Sequence, residues 1–104
     1  MIFTPNGVKV ADGIIWFDLI CMDIFLDDKV PTYFEGAPFL QALKDHLEPK
    51  GVLLYNRLAA TKPDTKATEA FYKGNFRKIF PSGEYLPLSG NWMLVNRGGL
   101  FRAR

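Results

Sequence analysis

The chain has 104 residues, enough for one domain with one modest core, and its 48% hydrophobic and 14% aromatic content belongs to a globular rather than a disordered protein. A formal charge of +2 gives no ground for nucleic-acid binding, and Arg97, Arg102 and Arg104 read as a solvated basic tail. The single cysteine excludes a disulfide framework and a thiolate metal cluster, and no run approaches the roughly 18 apolar residues that span a bilayer.

The N-terminus lacks the basic and apolar regions of a signal peptide, so the expectation is a soluble, cytoplasmic, single-domain protein without membrane or nucleic-acid partners. Val8–Ala11 alternates as a strand does, and Asp12-Gly13 separates it from Ile14–Phe17. Asp-Gly between two β-prone runs predicts a hairpin, since both turn residues must accept positive φ. The second arm continues through Phe17-Asp18-Leu19-Ile20-Cys21-Met22-Asp23, bending near Phe17-Asp18. A continuous apolar run ending on a carboxylate predicts a central strand of a parallel sheet, covered by helices on both faces. Such sheets take ligands outside the carboxyl ends of their strands, where Asp23 stands. Cys21, inside the run, reads as an inert buried thiol.

Ile24–Pro31 is a loop that mixes large hydrophobes with acids at that same end. Phe25 is a candidate pocket wall, and Asp27 and Asp28 could attract a cationic substrate such as an amine or form a solvated loop. A helix is predicted from Ala37 to Leu47, with Pro38 in its first turn and Phe39, Leu40, Leu43 and Leu47 on one face. Glu48-Pro49-Lys50-Gly51 supplies turn chemistry, and Val52–Tyr55 follows as a second buried strand ending at Asn56. Asn56 could reach the site or cap local backbone. Strand, helix and strand make a βαβ unit. His46, the sole histidine, reads as a cap at the helix end. With no Cys/His cluster and no acids at ligand spacing, no metal site is predicted.

Arg57–Thr65 reads as a polar loop on the Asp23 side, and a second helix is predicted from Thr65 to Phe80, capped by Asp64 or Thr65 and stopped by Pro81. Its stripe of Tyr72, Phe76, Ile79 and Phe80 belongs to the core, and Gly74 would permit close packing on the sheet. Tyr85–Leu88 and Trp92–Val95 form a terminal hairpin around Ser89-Gly90-Asn91. Pro87 cannot donate to a ladder, which puts its strand at the sheet edge and the Trp92 strand inside.

The order strand, helix, strand, helix, edge strand, reversed interior strand resembles the C-terminal half of class I S-adenosylmethionine-dependent methyltransferases. The wording is similar to their spermidine synthase (aminopropyltransferase) branch. The likeness rests on Phe17–Phe25, Val30-Pro31, Phe39-Leu40 and Leu47-Glu48-Pro49-Lys50-Gly51-Val52-Leu53-Leu54-Tyr55-Asn56. It implies an α/β fold: a partial Rossmann-like sheet with a parallel βαβ unit, a C-terminal antiparallel hairpin and helices packed on it. It also implies group transfer from S-adenosylmethionine, or its decarboxylated form, to a small and possibly polyamine acceptor. Asp12-Gly13 resembles the family's adenine-contacting pair, with a plain hairpin turn as the alternative. Pro31 resembles a proline near the adenine, and Asp23 the acid that orients or deprotonates the attacking amine.

Two departures stand out. Leu26 occupies the second acidic position of the family's Asp-x-x-Asp pattern, with Asp27 and Asp28 shifted onward. The glycine-rich turn and ribose-binding acid of the family's N-terminal, cofactor half have no counterpart in the sequence. The resemblance therefore implies half a cofactor site, completed by a partner or a fuller chain. It also leaves the Phe17–Asp23 strand with a naked edge, which the Val8–Ala11 arm could cover or a second copy could pair. A homo-oligomer is the favoured expectation. The competing functions are a non-catalytic binding or oligomerisation module of the same fold, and a receiver-like phospho-acceptor domain with Asp23 as acceptor.

Overall fold

A computed structural model describes residues 2–3, 9–11, 14–23 and 32–99. Among them six strands form one mixed sheet. Its axis is β3 (Ile14–Met22), which runs parallel to β4 (Leu47–Leu58) with Ile20 opposite Leu53 and Cys21 opposite Leu54. The central expectation, two parallel strands side by side around these residues, holds. A short 3-10 turn, Thr32–Glu35, and helix α1 (Ala37–Asp45) connect them. Gly36, in extended conformation, opens α1, and Pro38 occupies the first turn, where a missing N–H breaks no helical bond.

The far edge of β3 is covered by the chain itself. β1 (Ile2–Phe3) and β2 (Lys9–Ala11) both pair with it antiparallel, at Cys21–Met22 and at Ile14–Trp16. The register of Ala11 opposite Ile14 is that of the expected hairpin, whose turn residues, Asp12 and Gly13, lie outside the described residues. Of the two ways to protect this edge, the intramolecular one is used, so the edge no longer argues for a homo-oligomer.

Two residues of β3 span five of β4: Phe17 pairs with Leu47 but Leu19 with Val52. The surplus of three lies in the Glu48-Pro49-Lys50-Gly51 segment, which bulges within β4 instead of separating a helix from a new strand. Asn96 staples the bulge, donating from Nδ2 to the Gly51 carbonyl (3.1 Å) and accepting the Leu53 N–H at Oδ1 (2.9 Å). Space is tight at Gly51, where a Cβ would sit 3.0 Å from the Glu48 carbonyl oxygen.

β4 also runs past its expected end, to Leu58, so Arg57 belongs to a strand and not to a polar loop. The connection shrinks to Ala59–Thr61. Helix α2 (Lys62–Phe71) starts earlier than predicted because Thr61, not Asp64 or Thr65, is its cap, its hydroxyl accepting the Asp64 N–H at 3.2 Å. The expected single helix is interrupted. A π-type turn, Tyr72–Phe76, has Gly74 at φ −91° and ψ −105°, and a last short turn, α3 (Arg77–Ile79), follows. A Cβ on Gly74 would meet nothing within 4 Å, so this glycine marks a kink rather than close packing on the sheet.

β5 (Glu84–Leu88) is an edge strand and β6 (Asn91–Val95) lies between it and β4, antiparallel to both, as Pro87 foretold. Gly90 turns the hairpin at φ 85°, a conformation that favours glycine.

Alternation along the strands sorts the sheet's two faces. Ile20, Met22, Leu53, Tyr55 and Leu94 form one core with Leu40, Leu43, Phe71, Tyr72, Phe76 and Phe80 from the helical layer. Each fully buried apolar side chain here contributes about 1.5–3 kcal/mol. The opposite pleat carries Leu19, Cys21, Val52, Leu54 and Met93, all half-buried, together with the fully buried Val95, and none of them belongs to the core shared with the helices. The expectation of helices on both faces is thus not met among the described residues: a continuous apolar run does not say what covers its second row. No helix among these residues is long and apolar enough to cross a membrane.

Candidate functional site

Three polar side chains meet where β3 and β4 end. Asp23 is the first residue beyond β3 and is exposed. Asn56 lies near the end of β4, on the pleat facing away from the helices, and donates from Nδ2 to Asp23 Oδ1 at 3.2 Å. Asn91, at the start of β6, donates from Nδ2 to Asn56 Oδ1 at 2.6 Å. The Ala59 N–H bonded to the Gly90 carbonyl (2.9 Å) draws the β5–β6 turn to this same rim.

The direction of this chain of bonds follows from its acidic end. An ionised carboxylate only accepts, so Asn56 must offer it the amide N–H, which turns the Asn56 carbonyl toward Asn91. Asn91 must then donate. The result is a carboxylate steadied on one side, with lone pairs left for a further donor such as an ammonium or amine N–H.

Behind the rim, on the helical side, the 3-10 turn is tied to the sheet. Arg57 is 4% exposed; its Nη1 pairs with Glu35 Oε2, and its guanidinium lies 4.4 Å from the centroid of the Phe71 ring. Its Nε is buried without a hydrogen-bond partner. The Tyr55 hydroxyl donates to the Phe34 carbonyl and Asn75 Nδ2 to the Glu35 carbonyl (3.0 Å). Burial, reinforced by the charge of Glu35 and opposed by that of Arg57, pushes the Tyr55 phenol far above the ordinary tyrosine range. Burial likewise raises the Cys21 thiol, though the residue is half-buried on the pleat away from the helices and not enclosed as expected.

Of the residues singled out in the sequence, Asp23 and Asn56 are brought into contact. Asp12, Gly13, Phe25, Asp27, Asp28 and Pro31 lie outside the described residues. His46 ends α1 with its backbone N–H on the Leu43 carbonyl at 3.2 Å. Among the described residues no three His, Cys, Asp or Glu side chains gather where they could hold a metal ion. Asn91 and the Glu35–Arg57 pair were not anticipated. Asn91 read as turn chemistry, and nothing in its neighbours points at Asn56. Arg57 could have been found, since the alternation Leu53, Tyr55, Arg57 against Leu54, Asn56, Leu58 continues the strand pattern.

A concavity of about 330 Å³ lies near the opposite end of β4 between Lys44, Pro49, Phe80, Pro81 and Arg97. Lys44 Nζ bonds the Ile79 carbonyl (2.9 Å) and Arg97 Nη2 the Lys50 carbonyl (3.3 Å), so both cations are engaged in holding the fold. The Asp23 rim is the better site.

Comparison of the chain with protein-family models, curated proteins and solved structures finds no match to any of them.

Proposed function

We propose that the chain is a spermidine synthase-like, S-adenosylmethionine-dependent methyltransferase-like protein, in which the Asp23 rim receives the acceptor of a group transfer. The observation that carries this reading is a carboxylate fixed by Asn56 on the rim of a parallel strand pair, within the strand order β3-β4-β6-β5 and with β6 reversed. Open α/β sheets use this rim for ligands. The sequence resemblance supports the same reading and gives it a substrate class, a small molecule with an amine.

The described rim suits the acceptor rather than the nucleoside. Asp23 would accept an N–H from the amine and aim its nitrogen; Asn56 would keep the carboxylate from rotating away. When bound, a sulfonium nucleoside supplies the activated carbon. On transfer, Asp23 or water would take the proton that the amine nitrogen sheds. The residues that the resemblance assigns to the nucleoside, Asp12, Gly13 and Pro31, lie outside the described residues, so the geometry speaks for the acceptor side alone.

A second reading is a non-catalytic binding module of the same fold, favoured by the lack of a ribose-binding acid and glycine-rich turn in the sequence. Calorimetric titration with S-adenosylmethionine, its decarboxylated form and methylthioadenosine separates the two. The transferase reading expects at least one to bind and Asp23→Asn to abolish transfer to an amine while the fold persists; no binding by any of the three would favour the module.

A further inference from the structure

We infer that Asn91 is a positioning residue for the rim, acting on Asp23 through Asn56 without touching the ligand. The inference rests on the reading that Asp23 receives an amine, and adds to it the group that fixes how the carboxylate is presented. Three observations carry it. The Asn91–Asn56 bond, at 2.6 Å, is shorter than the 3.2 Å bond it supports, and it is part-buried where the Asn56–Asp23 bond is exposed. Asn91 begins β6 and is paired on both sides, with Leu58 of β4 and Leu88 of β5, so its backbone is held by the sheet. Asp23, by contrast, stands outside its strand and is exposed.

Order therefore passes outward, from a residue fixed on both sides to a carboxylate held by a single described side-chain bond. An asparagine amide is nearly symmetric in shape but opposite in polarity at its two ends, so what decides its orientation is its partners. With Asn91 donating to Oδ1, the Asn56 N–H faces Asp23. Without that donor, Asn56 is oriented by the exposed Asp23 alone, and its side chain can swing together with the carboxylate. A ligand amine would then meet a carboxylate that has lost its support and must be ordered during binding, a cost that appears as weaker affinity.

The test uses the full chain and two readouts. First, the side-chain amide resonances of Asn56 are followed in 15N-labelled protein without ligand, in the wild type, Asn91→Leu and Asn91→Ser. Asn91→Leu removes the donor while keeping bulk; Asn91→Ser retains a hydroxyl donor on a shorter arm. The expected result is a large shift and exchange broadening of the Asn56 amide pair in Asn91→Leu, less in Asn91→Ser, with backbone amides of β4 unchanged. An unchanged Asn56 pair in Asn91→Leu overturns the inference. So does loss of the β4 pattern in both variants, which would make Asn91 a fold residue only.

Second, 1,4-diaminobutane is titrated calorimetrically against the wild type, Asn56→Ala, Asn91→Leu and the double variant. Asn91→Leu should weaken binding several-fold in the wild-type background and have no effect in Asn56→Ala, because its action runs through Asn56. Equal losses in both backgrounds would overturn the inference even if the diamine binds. Failure of the diamine to bind the wild type would count against the amine reading, and the resonance experiment would still decide whether Asn91 orders Asn56.

Discussion

Removing Glu35 should destabilise the protein more than removing the buried cation that it neutralises. Arg57 is 4% exposed and its Nε has no hydrogen-bond partner, so its desolvation is offset chiefly by Glu35 and the Phe71 ring face. Breaking a buried pair from one side costs about 3–5 kcal/mol, because the other charge is stranded. The Glu35 side chain is 31% exposed, which places Glu35→Ala at the lower end, about 3 kcal/mol. Arg57→Met keeps an apolar stem against Phe71 and removes the stranded atom altogether; the Glu35 carboxylate left behind is 31% exposed and can be rehydrated, so a smaller loss than that of Glu35→Ala is expected. Urea denaturation of both single variants and the double variant measures this. At about 4–8 °C per kcal/mol for a chain of this size, Glu35→Ala should melt on the order of 10 °C or more below the wild type. In the Arg57→Met background it should be nearly silent. If Arg57→Met proves as costly as Glu35→Ala, the pair is not a neutralised buried charge and the reasoning fails.

Tyr55→Phe removes the hydroxyl bond to the Phe34 carbonyl and should cost about 1 kcal/mol at neutral pH, measured by the same denaturation. Since the folded phenol titrates above its ordinary value of 10.0, its stabilisation is complete below that pH and is lost as pH rises past it. The wild type should therefore lose more stability than Tyr55→Phe between neutral pH and about pH 11, and parallel losses would refute the assignment. Cys21, raised above 9.0 by burial, should react with iodoacetamide at neutral pH far more slowly in the folded than in the urea-unfolded chain; equal rates would show an accessible thiolate. Gly83→Ala should destabilise by about 1–3 kcal/mol, because a Cβ would lie 2.9 Å from Phe76 Cε2 and 3.0 Å from the Phe80 carbonyl oxygen; a neutral effect would mean this turn can shift at little cost.

Much of the sheet could be read in advance because its signals are local. Pro87 and the apolar run into Asp23 each fixed a strand's role through backbone chemistry alone. The errors fell where tertiary contacts overrode such signals. Glu48-Pro49-Lys50-Gly51 has every mark of a turn, yet Asn96, more than forty positions later, bonds it into β4 as a bulge. Thr61 outcompeted Asp64 and Thr65 as the cap of α2, leaving Pro63 at a tolerated position in the first turn. Arg57 read as loop because a charge seldom points into a core, and its half-buried partner comes from a turn 22 residues earlier. In the site, Asp23 was legible from its place after an apolar run, whereas Asn91 was not: its role exists only through a bond to a strand 35 residues away.

The rim after β3 and β4 is the proposed place of ligand binding. An amide-resonance titration of the labelled full chain with 1,4-diaminobutane, with and without methylthioadenosine, tests this most directly. The largest shifts should fall on Asp23, Asn56 and Asn91 and vanish in Asp23→Asn. Shifts centred instead on Lys44, Phe80 and Arg97, or the same shifts in Asp23→Asn, would contradict it.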